Sequence, residues 1–252
     1  FDPSYPGETG RLPWWGVGWY RKHFSVQQDD LDQRLYLEID GAMSFAMVWL
    51  NGNFVGGWPY GYTSFRLDLT PLIRWGQANL LAIRLDNPPE SSRWYPGGGV
   101  YRNIWLLKTA SVAVAQWGTF VTTPVVQPDR ATVVVHVELD NRTDRVAPVD
   151  VVTEIYQLQK NGIPFPHKAA VSEVCRVNIP AHLHAFCSHS LAVAEPKLWD
   201  VQHPHRYLAV TKVERDGRLI DRYETPFGIR AIAFVADQGF YLNGHPVKIQ
   251  GV

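Results

Sequence analysis

The sequence has no long apolar run, no excess of charge of either sign, and little cysteine. Its 252 residues carry 24 basic and 24 acidic side chains. A formal net charge of zero gives no electrostatic reason to expect nucleic acid or an anionic membrane as a partner. No apolar run approaches the roughly 20 residues that a membrane-spanning helix requires. We therefore expect neither nucleic acid nor a membrane as partner.

Two cysteines are too few for a disulfide-dense scaffold or a cysteine-rich zinc module. Cys175 and Cys187 are compatible with one disulfide in an exported protein and equally with two half-buried thiols. The chain begins at Phe1 and lacks the basic region and apolar core of a signal peptide. We therefore expect that it was cut from a longer chain or that a leader was removed.

Helical periodicity is nearly absent, and short alternating or β-branched runs broken by Gly, Pro, Asn and Asp predict an all-β protein. The clearest run, residues 33–40, places Leu35, Leu37 and Ile39 on one face. Pairs ending in glycine between apolar runs predict tight hairpin turns, because such turns need positive φ at both central residues. These pairs are Asn51-Gly52, Asp216-Gly217 and Asn243-Gly244.

The composition changes near Ala110, where loops rich in tryptophan and glycine give way to valine-rich strands. The spacing of the strands predicts a jelly-roll sandwich over residues 1–110. Residues 111–230 have the size and pattern of an immunoglobulin-like sandwich of about seven strands. Residues 231–252 predict one more hairpin, which runs to Gln250 and stops in mid-pattern. From that ending we expect a further domain downstream, with an ordinary C-terminal strand as the alternative.

The motifs of nucleophilic, phosphate-binding and dinucleotide-binding sites are not found in this sequence. His182 with His184, and His203 with His205, have alternate spacing, but neither pair has a clear third ligand. Asp86 and the nearby Glu90 border a loop rich in glycine and aromatic residues, and we interpret both as turn residues.

The most informative segment is residues 91–102, in which Arg93, Trp94 and Tyr95 precede three glycines. Aromatic rings stack on the apolar faces of sugars, and arginine donates hydrogen bonds to hydroxyls or carboxylates. A second aromatic loop, residues 57–62, is a candidate to join this segment. The same residue types also suit packing at the edge of a sandwich or between domains, so residue type alone leaves both interpretations open.

Five segments resemble glycoside hydrolase family 2, in the domain order of that family. Residues 18–24, 48–56 and 92–103 look like its sugar-binding domain. Residues 198–207 look like the end of its immunoglobulin-like domain, and residues 227–230 with 239–252 look like the lead-in to its catalytic (β/α)8 barrel. The resemblance also implies that an N-terminal strand of the sugar-binding domain precedes Phe1 in a longer chain. The Arg-Trp-Tyr-Pro-Gly loop is most similar to β-galactosidases, with β-glucuronidases, β-mannosidases and exo-acting glucosaminidases as competitors.

The resemblance implies retaining hydrolysis of a terminal non-reducing β-D-galactoside by two glutamates on barrel strands. It places both glutamates outside this chain, so we expect no catalytic residue here and no activity of the chain alone. It also implies that loops of the first domain line the substrate pocket, with Arg93 and Tyr95 near the sugar and Trp94 stacking or packing beside them. Arg93 stands where some β-galactosidases carry a cation-linked acidic residue, so we expect neither a metal nor another cofactor.

The partners implied by the resemblance are a terminal β-linked sugar and the chain's own catalytic barrel, with a homo-oligomer as an open alternative. Exposed apolar residues near Phe234, Phe240 and Tyr241 are expected to drive self-association. The resemblance favours a periplasmic or secreted location. The alternative function is a free-standing carbohydrate-binding module, in which residues 239–252 would have no purpose.

Overall fold

The structure is a computed structural model that describes residues 16–88 and 98–251. Apart from two single 3-10 turns, Gln28–Asp30 and Thr70–Leu72, every regular element in those residues is a β-strand. The chain divides into two compact units, Phe1–Ala110 and Ser111–Val252. The all-β prediction is confirmed.

The first unit has a four-stranded antiparallel sheet, β1-β7-β4-β5, a three-stranded sheet, β6-β2-β9, and the short pair β3-β8. Its strands are β1 (Gly16–Ser25), β2 (Arg34–Ile39), β3 (Ala42–Met43), β4 (Ala46–Leu50), β5 (Asn53–Trp58), β6 (Phe65–Asp68), β7 (Ala78–Asn87), β8 (Gly99–Val100) and β9 (Ile104–Thr109).

The alternation in β2 decides which of its faces is buried. Leu35, Leu37 and Ile39 are at most 2% exposed and pack with Val48 and Leu85 in one core cluster. Successive side chains of a strand point to opposite faces, so the residues between them face away from this core. The prediction that these three residues share a buried face is confirmed.

The second unit is a sandwich with a three-stranded sheet, β10-β11-β15, and a five-stranded sheet, β13-β12-β16-β17, in which β14 also pairs with β12. A small sheet, β18-β19-β20, follows it. The strands are β10 (Val112–Val126), β11 (Arg130–Asn141), β12 (Ala147–Leu158), β13 (Pro164–Val171), β14 (Cys175–Ile179), β15 (His184–Ala194), β16 (Tyr207–Arg215), β17 (Arg218–Phe227), β18 (Ile232–Val235), β19 (Gly239–Leu242) and β20 (His245–Pro246).

The three predicted hairpin turns are present. Both residues of each pair have positive φ, for example 52° at Asn51 and 85° at Gly52. They connect β4 to β5, β16 to β17, and β19 to β20. The third hairpin differs from the prediction in length, because β20 ends at Pro246 and an additional strand, β18, pairs with β19.

The two cysteines form a disulfide, Cys175–Cys187, with a Cα–Cα separation of 6.5 Å. Cys175 lies in β14 and Cys187 in β15, so the disulfide joins the two sheets of the second unit. Cys187 is 5% exposed and lies in the core of this unit. Of the two alternatives that the sequence left open, the structure has the disulfide.

Candidate functional site

The three predicted substrate residues, Arg93, Trp94 and Tyr95, lie outside the residues that the structure describes, as does Glu90. The described strands on either side of them are β7, which ends at Asn87, and β8, which begins at Gly99. Both strands contact residues 42–44, which we call the β3 segment. Gly99 is paired with Met43, and the backbone N–H of Asp86 donates to the carbonyl of Ser44 over 2.8 Å.

Asp86 is fixed by this contact and by an ion pair. Its carbonyl accepts a 2.7 Å hydrogen bond from the hydroxyl of Ser44. Its carboxylate receives a 2.9 Å hydrogen bond from Arg84 Nη2. Asp86 lies within β7, so its interpretation as a turn residue is wrong. Its contacts are those of a residue that holds the end of a strand.

Three tyrosines form a cluster beside the β3 segment, and we call Tyr60, Tyr62 and Tyr101 the tyrosine cluster. The ring centroids of Tyr60 and Tyr62 are 5.6 Å apart, and those of Tyr62 and Tyr101 are 6.2 Å apart. Both pairs meet edge to face, the arrangement that the charge distribution of aromatic rings favours. All three side chains are between 41% and 57% exposed, so the cluster has aromatic surface available for a ligand.

Tyr101 links the two loops that form the cluster. Its hydroxyl donates a 2.9 Å hydrogen bond to the carbonyl of Gly61, and the guanidinium of Arg102 lies 5.3 Å from the centre of its ring. A Cβ atom at Gly41 would lie 2.8 Å from Tyr101 Cζ. Position 41 therefore has no room for a side chain while the Tyr101 ring keeps this place.

Trp58 lies at the start of the same loop. Its indole N–H donates a 2.8 Å hydrogen bond to the hydroxyl of Thr63, and its ring stacks on Phe65 at 6.4 Å. Because Phe65 is a buried core residue, one face of the Trp58 ring packs against the core. This fits the interpretation of Trp58 as a packing residue at the edge of the sandwich. The loop 57–62 thus has one aromatic residue anchored to the core and two in the exposed cluster.

The cluster can bind a sugar by stacking, since its three residues are partly exposed and aromatic rings stack on the apolar faces of sugars. The nearby carboxylates are already engaged. Asp40 Oδ2 accepts a 2.9 Å hydrogen bond from the indole of Trp105, and Asp86 is paired with Arg84. The described geometry supports binding of a sugar and contains no obvious acid–base pair beside the cluster.

The members of the first histidine pair have separate acidic partners, whereas those of the second pair contact each other. His182 Nε2 lies 2.8 Å from Asp144, whereas His184 Nδ1 lies 3.0 Å from Glu138. His203 and His205 stack on each other at 6.4 Å. Within residues 16–88 and 98–251, no group of three or more His, Cys, Asp or Glu side chains could hold a metal ion. Over the same residues, no helix is long and apolar enough to span a membrane.

A further set of polar residues, which the sequence did not single out, lies on the second unit. The Glu154 carboxylate accepts hydrogen bonds from Lys168 at 2.8 Å, Lys212 at 2.9 Å and the Tyr156 hydroxyl at 2.7 Å. Burial alone raises the pKa of Glu154, but these three hydrogen bonds outweigh it and lower the pKa to about 2. No motif marks this set, because its members come from three different strands.

Comparison with known proteins assigns both units to one family. Residues 2–95 match the profile "Glycosyl hydrolase 2 galactose-binding domain-like", and residues 113–230 match "Glycosyl hydrolases family 2". The first unit therefore has a galactose-binding-like fold, and the second is the immunoglobulin-like sandwich expected from its strands.

Curated relatives cover nearly the whole chain. A β-galactosidase of Bacteroides ovatus is 40% identical over 100% of this chain and 29% of its own length. A putative β-glucuronidase of Formosa agariphila is 32% identical over 98% of this chain and 22% of its own length. The chain thus spans less than a third of the length of these relatives.

Solved structures agree with this assignment. A glycosyl hydrolase family 2 member from Bacteroides cellulosilyticus has a TM-score of 0.87 at 37% identity, over 94% of this chain and 32% of the other. A β-glucuronidase of the same family has a TM-score of 0.86 at 27% identity, over 95% of this chain and 27% of the other. The chain therefore belongs to glycoside hydrolase family 2.

Proposed function

We propose that this chain is the non-catalytic part of a retaining β-galactosidase, and that it lines the pocket for a terminal β-linked galactose. In this proposal Arg93 and Tyr95 contact the sugar, and Trp94 stacks or packs beside them. The chain also supports the catalytic barrel, its partner in the same protein.

The observation that carries the proposal is the tyrosine cluster. It lies beside the β3 segment, which also contacts the strands on either side of residues 89–97. Exposed aromatic rings next to that segment give a sugar an apolar face to stack on. The relative named β-galactosidase, which matches this chain over its whole length, supports galactose as the sugar.

The chemical step is assigned to residues outside this chain. Retaining hydrolysis needs two carboxyl groups about 5–5.5 Å apart, one as nucleophile and one as acid and base. Asp40 and Asp86, which lie near the cluster, are each held by another side chain. We therefore expect the purified 252-residue chain to release no nitrophenol from 4-nitrophenyl β-D-galactoside. Clear turnover that persists through repeated purification would overturn the non-catalytic role.

A β-glucuronidase is the second candidate, and the relatives of that name support it. A glucuronide carries a carboxylate where a galactoside carries a hydroxymethyl group. The guanidinium of Arg93 suits a carboxylate, since its planar donors match both carboxylate oxygens. The relative rates of hydrolysis of a β-galactoside and a β-glucuronide by the full-length protein decide between these candidates.

Self-association through the small C-terminal sheet is part of the proposal. The rings of Phe234 and Phe240 pack at 5.2 Å, and Phe234 is 76% exposed. Exposed apolar surface of this kind favours association. We expect light scattering to show a mass above that of the monomer at high concentration, and Phe234→Ser to return it to the monomer. A monomer at all concentrations would contradict this part.

A further inference from the structure

A pocket of about 410 Å³ opens on the second unit, on the five-stranded sheet. It is lined by Glu154 and Tyr156 of β12, Phe165 of β13, Val210 and Lys212 of β16, and Arg222 of β17. Its volume falls within the range of about 300–1,000 Å³ that is typical of small-molecule sites.

The register of the sheet explains why these residues share one face. Glu154 is paired with Val210, and Lys212 with Arg222. Side chains directly opposite each other on neighbouring strands point to the same face of a sheet. The pairing thus places an acid, an apolar residue and two cations side by side on this face.

The apolar wall of the pocket is aromatic. Phe165 is 41% exposed, and it stands between two prolines on β13, at the edge of the sheet. Tyr156 faces the pocket from the neighbouring strand, and its hydroxyl is held by Glu154. Rings on two adjacent strands thus border the pocket and present surface for stacking.

The polar side of the pocket is centred on the buried carboxylate of Glu154. The Glu154 side chain is 7% exposed, and its Oε1 accepts hydrogen bonds from Lys168 and Lys212. These bonds hold the two ammonium groups in place. Each ammonium has three donors and gives one to Glu154, so donors remain for a further acceptor.

The charges around the pocket favour an anion. Lys168, Lys212 and Arg222 contribute three positive charges, against the two negative charges of Glu154 and Glu224. Arg222 is 49% exposed at its ion pair with Glu224. Exposed ion pairs of this kind are weak, so its guanidinium can turn to a ligand at little cost.

We propose that this pocket binds an anionic saccharide. The sugar ring stacks against Tyr156 and Phe165, and its carboxylate or sulfate group accepts hydrogen bonds from Lys212 and Arg222. Aromatic walls combined with cationic donors fit a ligand that carries both an apolar ring face and a charge.

The test is a titration of the isotopically labelled 252-residue chain, followed by amide chemical shifts. The probes are methyl β-D-glucuronide, galactose 6-sulfate, methyl β-D-glucoside and sodium sulfate. We expect the two anionic sugars to shift the amides around Tyr156, Phe165 and Lys212. At least one of them should bind about tenfold more tightly than the neutral glucoside and than sulfate.

Arg222→Gln is the variant to use, because removing Lys212 would leave Glu154 short of a counter-charge in a buried site. Arg218→Gln is its matched control. Arg218 is also exposed and lies on β17, four residues away and outside the pocket lining. We expect Arg222→Gln to weaken binding by about fivefold or more, Phe165→Ala to weaken it as well, and Arg218→Gln to leave it unchanged.

Several results would overturn the proposal. One is an absence of shifts at the pocket up to about 20 mM of each probe. If the glucoside and the glucuronide bind with equal affinity, the charge of the ligand has no role. If sulfate binds as tightly as the anionic sugars, the pocket is an anion site that does not recognise the sugar ring.

Discussion

The ring of Tyr62 meets the ring of Tyr101 edge to face, with their centroids 6.2 Å apart. These residues belong to two different loops, which the Tyr101 hydroxyl also joins through its hydrogen bond to the Gly61 carbonyl. The contact brings together the aromatic loop 57–62 and the strand segment that follows Arg93, Trp94 and Tyr95. This contact therefore holds together the two segments that we propose line the sugar pocket.

Replacing Tyr101 by phenylalanine removes the hydrogen bond and keeps the ring. We expect Tyr101→Phe to lower the free energy of unfolding by about 0.5–1.5 kcal/mol, and Tyr101→Ala to lower it further because the ring contacts are lost as well. In the full-length protein we expect both to raise KM more than they lower kcat. Urea unfolding and steady-state kinetics measure these effects. Wild-type values of both quantities in Tyr101→Ala would show that the cluster neither holds the loops nor binds substrate.

The carboxylate of Glu154 makes the stability of the second unit depend on pH. Its pKa is lowered from 4.5 to about 2 in the folded state. A lowered pKa stabilises the fold above the unfolded pKa, and this stability is lost as the pH falls towards the folded pKa. We therefore expect the free energy of unfolding to fall by about 2–3 kcal/mol between pH 4.5 and pH 2 through this group.

Glu154→Gln should remove most of the pH dependence of the free energy of unfolding. We expect the variant to be less stable than wild type at pH 7 and nearly as stable as wild type near pH 2. Glu224→Gln is the matched control, because Glu224 lies on the same sheet but is 45% exposed. It should change stability by at most about 0.5 kcal/mol. Denaturant unfolding at several pH values measures both variants. Parallel pH profiles for wild type and Glu154→Gln would contradict this account.

The disulfide Cys175–Cys187 should stabilise the second unit. Its cysteines are 12 residues apart in sequence, and closing a loop of this size in the unfolded chain contributes about 3 kcal/mol in the chain-entropy account. We expect the double replacement of both cysteines by serine to lower the free energy of unfolding by about 2–4 kcal/mol. The wild type in reducing buffer should match it. Equal stability in oxidising and reducing buffer would contradict a structural role.

Much of the fold could be predicted from local sequence. The Asn51-Gly52, Asp216-Gly217 and Asn243-Gly244 turns depend on the conformations that these residue pairs allow, and the buried face of β2 follows from simple alternation. Strand β13 was not predicted, because Pro164 and Pro166 interrupt the usual strand pattern. It lies at the edge of its sheet, where a residue without a backbone N–H is tolerated.

The candidate sites were less accessible to sequence reasoning. The sequence made loop 57–62 only a candidate to join residues 91–102. The contact of Tyr62 with Tyr101 joins residues 39 positions apart and depends on the fold of the whole first unit. The Glu154 set draws Lys168 and Lys212 from two other strands. Strand pairing of this kind cannot be read from the spacing of charged residues, since the chain order does not give the register.

The most direct measurement is kcat/KM of the full-length protein for 4-nitrophenyl β-D-galactoside and 4-nitrophenyl β-D-glucuronide, with wild type and Arg93→Ala in parallel. We predict that kcat/KM is about tenfold or more higher for the galactoside, and that Arg93→Ala lowers kcat/KM on the galactoside by a similar factor. A preference for the glucuronide would contradict galactose as the substrate, and an unchanged kcat/KM in Arg93→Ala would contradict the place of this chain in the sugar pocket.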